Sequence, residues 1–154
     1  MSINIVTIEH LEISCLCMKQ LLQAGMTENS AIRHLEFLAN NYAKYRHLGK
    51  LSPDHADEYK IWSKSALLAK KHSPDKKYRE FLRVEHGTPR RRFARTIYDQ
   101  FLKGSLTEKW MNQHCDSKWK VAVITLDEDK ELNKLAKREF NSPDERWEAA
   151  GIKF

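Results

Sequence analysis

Hydrophobic residues in the first 50 positions recur every three or four residues, which places them on one side of an α-helix. This pattern predicts a first helix over 8–24, ended by Gly25, and a second helix over 29–47, ended by Gly49. The first helix carries hydrophobic side chains on more than one side. We therefore expect it to be central.

The pair Ser52-Pro53 is typical of a helix start, because serine caps the first turn and proline fits the first helical position. We expect a third helix from this pair through Trp62 to Lys71, whose charge suits the C-terminal end of the helix dipole. A second Ser-Pro pair at 73–74 predicts a turn or a short helix after it.

Three segments of the second half predict β-strands. Residues 81–84 are mostly hydrophobic and precede Gly87, which is compatible with a short strand. Residues 119–125 predict the clearest strand, because they are β-branched, continuous and bounded by polar residues. Since this segment is hydrophobic on both faces, we expect it to be covered on both sides. Residues 151–154 are a possible last strand.

Helices are also expected in the second half. Thr88-Pro89 predicts a helix start, and the hydrophobic residues of 93–101 form one face of that helix. Gly104 ends it, and a short helix is expected over 105–111.

Two further helix starts lie near the C-terminus. Thr125 and Glu128 form the Thr-x-x-Glu capping box, which predicts a helix that runs to about Phe140. A last Ser-Pro pair at 142–143 predicts one more turn of helix.

These elements predict an α+β protein that is predominantly α. An N-terminal helical layer, residues 1–72, is expected to pack on a small two- or three-stranded sheet with helices, residues 73–154. The 154 residues, of which 41% are hydrophobic, suit a single domain over 1–154 with one core.

Hydropathy and cysteine content bear on localisation. No segment is long and hydrophobic enough for a transmembrane helix, and the N-terminus lacks the features of a signal peptide. Cys15 and Cys17 lie two apart on a predicted helix, so they point to different sides and do not pair. Reduced cysteines without an export signal predict a cytoplasmic protein that does not contact membranes.

The net charge of +6 is distributed unevenly along the chain. Residues 76–120 contain 12 Lys and Arg against 5 Asp and Glu, whereas residues 121–154 contain 6 against 8. Concentrated positive charge favours an anionic partner. DNA or RNA is the expected partner, and an acidic protein is the alternative.

The candidate nucleic-acid contacts are the basic residues of segment 76–95, namely Lys76, Lys77, Arg79, Arg83, Arg90, Arg91, Arg92 and Arg95. Helical spacing places Arg91, Arg92 and Arg95 opposite the hydrophobic face of their helix, in a solvent-facing patch. Cations in the first turn oppose the helix dipole, so either a bound phosphate or nearby carboxylates must compensate. The alternative to a phosphate site is a charge cluster paired with the acidic residues of 127–131.

The stretch EHGTP, residues 85–89, resembles the start of the HNH nuclease motif. In that family an acidic residue binds a divalent metal, a histidine activates the attacking water, and a later helix completes the metal site. The resemblance implies that Glu85 is a metal ligand and His86 the general base. It also implies a second metal ligand, Asp129 or Glu128, on the helix that follows the 119–125 strand.

A structural role is the alternative for the same pair. In that case His86 would end a strand and bond to the backbone, while Glu85 would pair with a nearby arginine. No cofactor is expected, except for a divalent metal if the protein is a nuclease.

A longer resemblance spans Glu85 to Ile152. The order EHxxP, VAVIT and RWxxxGI is similar to small bacterial proteins of unassigned activity that are associated with plasmids and phages. This resemblance implies no particular activity. The chain contains no phosphate-binding glycine motif, nucleophile elbow or zinc-ligand spacing.

Three functions follow from these patterns. The first is a non-catalytic nucleic-acid-binding or accessory protein that uses segment 76–95. The second is a protein-binding inhibitor or immunity-type factor of a mobile element. The third is an HNH-like metal-dependent nuclease centred on Glu85 and His86.

Overall fold

A computed structural model describes residues 5–51 and 55–154. Ser52 and Pro53, the expected start of the third helix, lie outside the described residues. The described chain forms two compact units, each built from two segments. Residues 5–51 and 89–119 form the first unit, and residues 55–88 and 120–154 form the second. Neither unit coincides with the halves 1–72 and 73–154 that we expected.

The elements confirm the expected α+β class with a predominance of α-helix. In chain order the described residues form α1 (Ile8–Gln23), α2 (Glu28–Ala31), α3 (Arg33–Leu48), β1 (Ile61–Trp62), α4 (Lys64–His72), β2 (Leu82–His86), α5 (Arg90–Leu102), α6 (Glu108–Lys118), β3 (Val121–Thr125), α7 (Leu126–Lys134) and α8 (Pro143–Ala149). Two 3₁₀ helices cover Ala56–Glu58 and Tyr78–Glu80. Among these residues, no helix has both the length and the hydrophobicity needed to cross a membrane.

The first unit is entirely helical in its described part. Helices α1, α3 and α5 pack against one another. Their contact surfaces carry buried residues at helical spacing, such as Leu11 and Met18 on α1, Leu35 on α3, and Phe93 and Ile97 on α5. The hydrophobic face of 93–101 is buried, as expected. The expected central position of α1 is wrong, because α1 buries only one face and its further hydrophobic side chains Ile13, Leu16 and Leu21 are exposed.

The expected helix over 29–47 is divided into two helices. Helix α2 ends at Ala31, and α3 begins at Arg33. Between them, the buried Ile32 stays in the right-handed helical region, so the two helices follow each other directly. Gly49, with a φ of 67°, ends α3 as expected, because glycine tolerates the left-handed conformation.

The second unit contains the sheet, with the strand order β1-β3-β2. Central strand β3 pairs in parallel with β1 and antiparallel with β2. The register sets Trp62 opposite Val123 and Glu85 opposite Ala122. Residues 121–124 are all buried, which confirms that this strand is covered on both sides.

The predicted third helix is wrong in its position. Trp62 lies in β1, and the helix that follows begins at Lys64. Ser63 is its cap, because the Ser63 hydroxyl accepts a hydrogen bond from the Ala66 amide at 3.0 Å. The same hydroxyl donates to Glu128 at 2.7 Å. Strand pairing between β1 and β3 therefore takes precedence over the helical pattern.

Other boundaries also differ from the expected ones. Helix α6 begins at Glu108, after the cap Thr107, rather than at Ser105. It also extends beyond residue 111 to Lys118, because residues of a further turn, including His114 and Cys115, are buried. Helix α7 has the predicted capping box but ends at Lys134 rather than near Phe140. After the buried Leu132, no side chain is buried until Pro143, so no packing holds further helical turns. Residues 151–154 form no strand.

Candidate functional site

Glu85 and His86 form the C-terminal end of β2. The Arg146 guanidinium, on α8, donates to the Glu85 carboxylate at 2.5 Å and to the carbonyls of His86 and Gly87 at 3.3 and 3.4 Å. The two charged side chains are largely buried, at 12% exposure for Arg146 and 16% for Glu85. Glu85 is thus paired with an arginine, as the structural alternative predicted.

The electrostatic surroundings of Glu85 are mixed. Burial raises the pKa of Glu85 above its ordinary value, and Arg146 opposes this effect. The negative charge of Asp129 raises the pKa of Glu85 further, so the two carboxylates are within electrostatic range. They approach because α7 packs on β2 and β3.

A metal site would need more ligands than these two carboxylates. Residues 5–51 and 55–154 contain no group of three or more His, Cys, Asp or Glu side chains that could hold a metal ion. The assignment of Glu85 and Asp129 as metal ligands, and of Glu85 and His86 as catalytic residues, stays a prediction.

Gly87 lets α8 approach the end of β2 closely. A Cβ atom added at Gly87 would lie 2.3 Å from Cβ of Pro143 and 2.8 Å from Cζ2 of Trp147. Real Cβ atoms do not approach other heavy atoms this closely, so residue 87 must be glycine while α8 keeps its position. Together with the Arg146 hydrogen bonds, this contact uses the EHG residues of the motif to hold α8 on the sheet.

Two of the four arginines of α5 have carboxylate partners within the first unit. Arg91 donates to Glu36 at 2.9 Å and to the side-chain oxygen of Asn29 at 2.7 Å. Arg95 donates to Glu28. The helical pattern therefore placed these arginines correctly on the polar side of α5, but two of them face carboxylates rather than open solvent.

The compensating carboxylates come from α2 and α3. In the acidic stretch 127–131, which we considered as the partner, Asp127 and Glu131 pair with Lys130 and Lys134 of the same helix. Arg90, at the start of α5, is exposed. Arg92 is half-buried and has an interaction partner.

The basic residues before β2 have a different environment. We call residues 70–79 the lysine-rich turn, because they contain Lys70 and Lys71 in the last turn of α4 and Lys76 and Lys77 just before the second 3₁₀ helix. Lys71, Lys76 and Lys77 are exposed, and none of them makes an ion pair with another described residue. This turn therefore displays positive charge that the described structure does not neutralise.

A cavity of about 220 Å³ lies beside the lysine-rich turn. Its lining combines three lysines with aromatic residues and one carboxylate, chiefly Trp62, Tyr78, Lys70, Lys76, Lys77 and Asp57. The Trp62 indole donates to the Tyr59 carbonyl at 2.9 Å, which fixes the ring. Lys70 lies 4.8 Å from the centre of the Trp62 ring and forms an ion pair with Asp57.

Tyr78 is held from two sides. The His55 ring meets it edge-on with the ring centres 4.8 Å apart. The Arg79 guanidinium lies 5.7 Å from the centre of the Tyr78 ring, and its Nε donates to the phenol oxygen at 3.1 Å. Arg83 donates to the carbonyl of Arg79 at 3.0 Å, which links the end of the turn to β2. The aromatic lining is therefore ordered by its neighbours.

The sequence predicted part of this arrangement. Its basic pattern indicated Lys76, Lys77, Arg79 and Arg83, whereas its helical pattern assigned Trp62 to a helix. The stretch DKKYRE, residues 75–80, places an aromatic residue among cations, and this pattern could have drawn attention to the turn. Trp62 is brought to the same cavity only by strand pairing, which no local pattern shows.

A second surface feature lies within the first unit. A groove of about 770 Å³ is lined by residues of α1 and α3 and by flanking chain segments. Ile13 on α1 and Phe37 on α3 line it and are 53% and 55% exposed. Large hydrophobic side chains exposed side by side in a groove are typical of protein-binding surfaces.

No protein-family model, curated protein or solved structure matches the chain. The resemblances to the HNH motif and to plasmid- and phage-associated proteins therefore stay predictions.

Proposed function

We propose that the protein is a non-catalytic nucleic-acid-binding or accessory protein that contacts the phosphate backbone with the lysine-rich turn. The observation that carries this proposal is the exposure of Lys71, Lys76 and Lys77 beside a cavity with aromatic walls. When exposed cations bind phosphates, they displace counterions condensed on the nucleic acid, and this release drives binding independently of base sequence. A cytoplasmic location suits this function and stays a prediction.

Within segment 76–95, the proposal assigns the main contact to Lys76 and Lys77. Arg91 and Arg95 already bind carboxylates, so a phosphate would have to compete with Glu36 and Glu28. Arg79, Arg83, Arg90 and Arg92 are secondary contacts in this proposal.

The test is the binding of labelled single-stranded DNA, duplex DNA and RNA over a range of salt concentrations. The double variant Lys76→Ala/Lys77→Ala is compared with Lys130→Ala/Lys134→Ala. The control removes the same charge from exposed lysines that pair within α7. We expect the first variant to lose about tenfold or more in affinity, and its salt slope to fall by about 2. Equal losses in both variants, or no binding by the wild type, would contradict the proposal.

An HNH-like nuclease is the catalytic alternative, favoured by the packing of α7, which carries Asp129, on β2, which carries Glu85. The same samples incubated with Mg²⁺, Mn²⁺ or EDTA test it. Metal-dependent cleavage that is lost in His86→Ala, with folding intact, would replace the non-catalytic proposal. Binding without cleavage would leave Glu85 with its role in the Arg146 ion pair.

A protein-binding inhibitor or immunity-type factor is the second candidate function. The observation that favours it is the hydrophobic groove with Ile13 and Phe37. Retention of a protein partner by the wild type but not by Phe37→Asp, together with failure to bind any nucleic acid, would favour this function over the first.

A further inference from the structure

We propose that the cavity beside the lysine-rich turn accepts one base of single-stranded nucleic acid, so that the protein prefers single strands to duplexes. The inference rests on the proposed nucleic-acid-binding function and names the form of nucleic acid that the same site recognises. It follows from the size of the cavity, its aromatic walls and the arrangement of its charges.

The cavity is small for a complete ligand. Its volume of about 220 Å³ is below the roughly 300–1,000 Å³ of ordinary small-molecule sites. Such a space suits one part of a larger ligand whose remainder lies outside. A base that projects from a sugar–phosphate backbone has this form.

The walls offer aromatic surface in a fixed orientation. Trp62 and Tyr78 are both partly exposed and both line the cavity. The bond from Trp62 to the Tyr59 carbonyl, and the contacts of His55 and Arg79 with Tyr78, hold the two rings. Rings that are already ordered lose little conformational entropy when a base stacks on them. Every base has a π-face, so stacking of this kind tolerates different base sequences.

The charges separate the base from its phosphates. The Lys70 ammonium lowers the pKa of Asp57 through a direct hydrogen bond, so this carboxylate is ionised at neutral pH. The Asp57 carboxylate offsets the charge of Lys70 within the cavity, and its remaining lone pairs can accept hydrogen bonds from amino groups of a base. The exposed Lys76 and Lys77 attract the flanking phosphates at the surface. This distribution suits a base inside the cavity and the backbone along the turn.

A duplex cannot use the cavity in this way. Its bases are stacked and paired, and moving one base out of the duplex costs more free energy than moving one out of a single strand. The lysines would still attract the phosphates of a duplex, which gives weaker binding without base insertion.

The first experiment needs no protein variant. The affinity of the wild type is measured for a 12-residue single-stranded oligonucleotide, for an abasic oligonucleotide with the same number of phosphates, and for the corresponding duplex. We expect the strand with bases to bind about 5- to 150-fold more tightly than the abasic strand, which is the range that one stacked base contributes. DNA and RNA versions of the single strand are both measured, and a preference over duplex with either supports the inference.

A matched pair of variants locates the contact. Tyr78→Leu removes the ring at the cavity, and Phe140→Leu removes a ring that likewise lies beneath an arginine, Arg138, but does not line the cavity. We expect Tyr78→Leu to lose affinity for the single strand and not for the duplex or the abasic strand. Phe140→Leu should retain the wild-type affinities.

The outcomes separate the two proposals. If the abasic strand binds as tightly as the normal strand and binding still depends on Lys76 and Lys77, the base site is wrong and nucleic-acid binding stands. If the preference for bases persists in Tyr78→Leu, the base is bound elsewhere and the inference is overturned. If none of the oligonucleotides binds, both proposals fall.

Discussion

The lysine-rich turn and the first turns of α5 both carry clustered cations, yet the fold uses their charge differently. Arg91 and Arg95 of α5 form ion pairs with Glu36 and Glu28, so their charge is neutralised within the first unit. The exposed lysines 71, 76 and 77 in the second unit meet no carboxylate of the described chain. Positive charge is most concentrated along the sequence at the start of α5, whereas exposed positive charge without an ion-pair partner is found in the lysine-rich turn.

The difference has a physical cause. The N-terminal end of a helix carries a partial positive charge, so cations in its first turn are unfavourable and nearby carboxylates offset this cost. Lys71 lies in the last turn of α4, where the helix dipole favours cations, and Lys76 and Lys77 lie beyond that helix, so these lysines can extend into solvent without compensation. Consecutive arginines at a helix start therefore indicate an internal ion-pair partner as readily as a phosphate site.

In the EHGTP stretch, too, residues that suggest a functional site have structural partners. Its charged and conformationally special residues resemble a catalytic site, but Glu85 binds Arg146 and Gly87 admits Pro143. Both contacts attach α8 to the sheet. We therefore expect substitutions in this stretch to lower the stability of the fold, and substitutions in the lysine-rich turn to lower the affinity for nucleic acid.

The largest effect is expected for Arg146→Met, which leaves the Glu85 carboxylate buried without its partner. Breaking one side of a buried ion pair costs about 3–5 kcal/mol, and the partial exposure of this pair places the loss near 3 kcal/mol at pH 7. Without Arg146, the pKa of Glu85 rises further. A raised carboxyl pKa in the folded state destabilises as pH increases through that pKa. The loss should therefore be greater at pH 8 than at pH 5, as measured by urea unfolding.

The control for this prediction is Arg138→Met. Arg138 is exposed and lies over the Phe140 ring at 5.1 Å, so its loss should change the free energy of unfolding by less than about 1 kcal/mol. Equal stability losses for the two variants would show that the buried ion pair does not hold α8.

The next effect in size is that of Gly87→Ala. The added methyl group would overlap Pro143 and Trp147, and α8 would have to move away from β2. Overpacking of this kind costs about 1–3 kcal/mol, and we expect about 2 kcal/mol. Thr88→Ala, at the neighbouring half-buried position, should change stability by less than about 0.5 kcal/mol. A stable Gly87→Ala protein that binds no nucleic acid would contradict a purely structural role for this glycine.

Local patterns predicted those parts of the fold that depend on local interactions. Strand β3 is continuous and β-branched, and the Thr125–Glu128 capping box lies within four residues. Both were therefore visible in the sequence. The burial of one face of α5 followed from helical spacing alone.

The remaining features depend on contacts between distant residues. Strand β1 has two residues, and it exists because it pairs with β3 some 60 positions later. The cavity likewise collects Asp57, Trp62 and Tyr78 from separate elements. No local pattern predicts such pairings, so the sequence indicated the lysines of the candidate site and not its aromatic walls.

The contact of His114, on α6, with Phe93, on α5, should make the stability of the protein depend on pH. Its ring is buried against Phe93 and Trp110, with ring centres 4.3 and 4.8 Å apart, and its Nε2 donates to the Phe93 carbonyl at 3.2 Å. Burial lowers the pKa of His114 from 6.5 to about 4. The unfolded chain therefore binds the proton first as pH falls, and stability declines from about pH 6.5 down to pH 4.

We expect this single group to cost about 2 kcal/mol between pH 7 and pH 5. His114→Gln keeps an N–H donor for the Phe93 carbonyl and does not titrate, so its stability should depend less on pH over this range. Denaturant unfolding at pH 5, 6 and 7 measures the difference. Parallel pH profiles of the wild type and the variant would contradict the assignment.

The smallest change in stability is expected for a pair of variants, Arg91→Met and Lys77→Met, which compares the two basic stretches directly. The Arg91 side chain is 33% exposed, and its partner Glu36 is only 12% exposed. Without Arg91, Arg33, at 3.8 Å, is the one ion-pair partner that the Glu36 carboxylate keeps among the described residues. We therefore expect a stability loss of about 1 kcal/mol, between the values for exposed and buried pairs.

Lys77→Met should leave the free energy of unfolding within about 0.5 kcal/mol of the wild type, because the Lys77 ammonium makes no ion pair in the described chain. In the same two variants, the loss of affinity for single-stranded nucleic acid should have the opposite order. Thermal unfolding and oligonucleotide binding on one preparation of each variant measure both quantities. If Arg91→Met lost more affinity than Lys77→Met, an arginine held by a carboxylate would still be the main phosphate contact. The contrast between neutralised arginines and exposed lysines would then not explain how this protein binds nucleic acid.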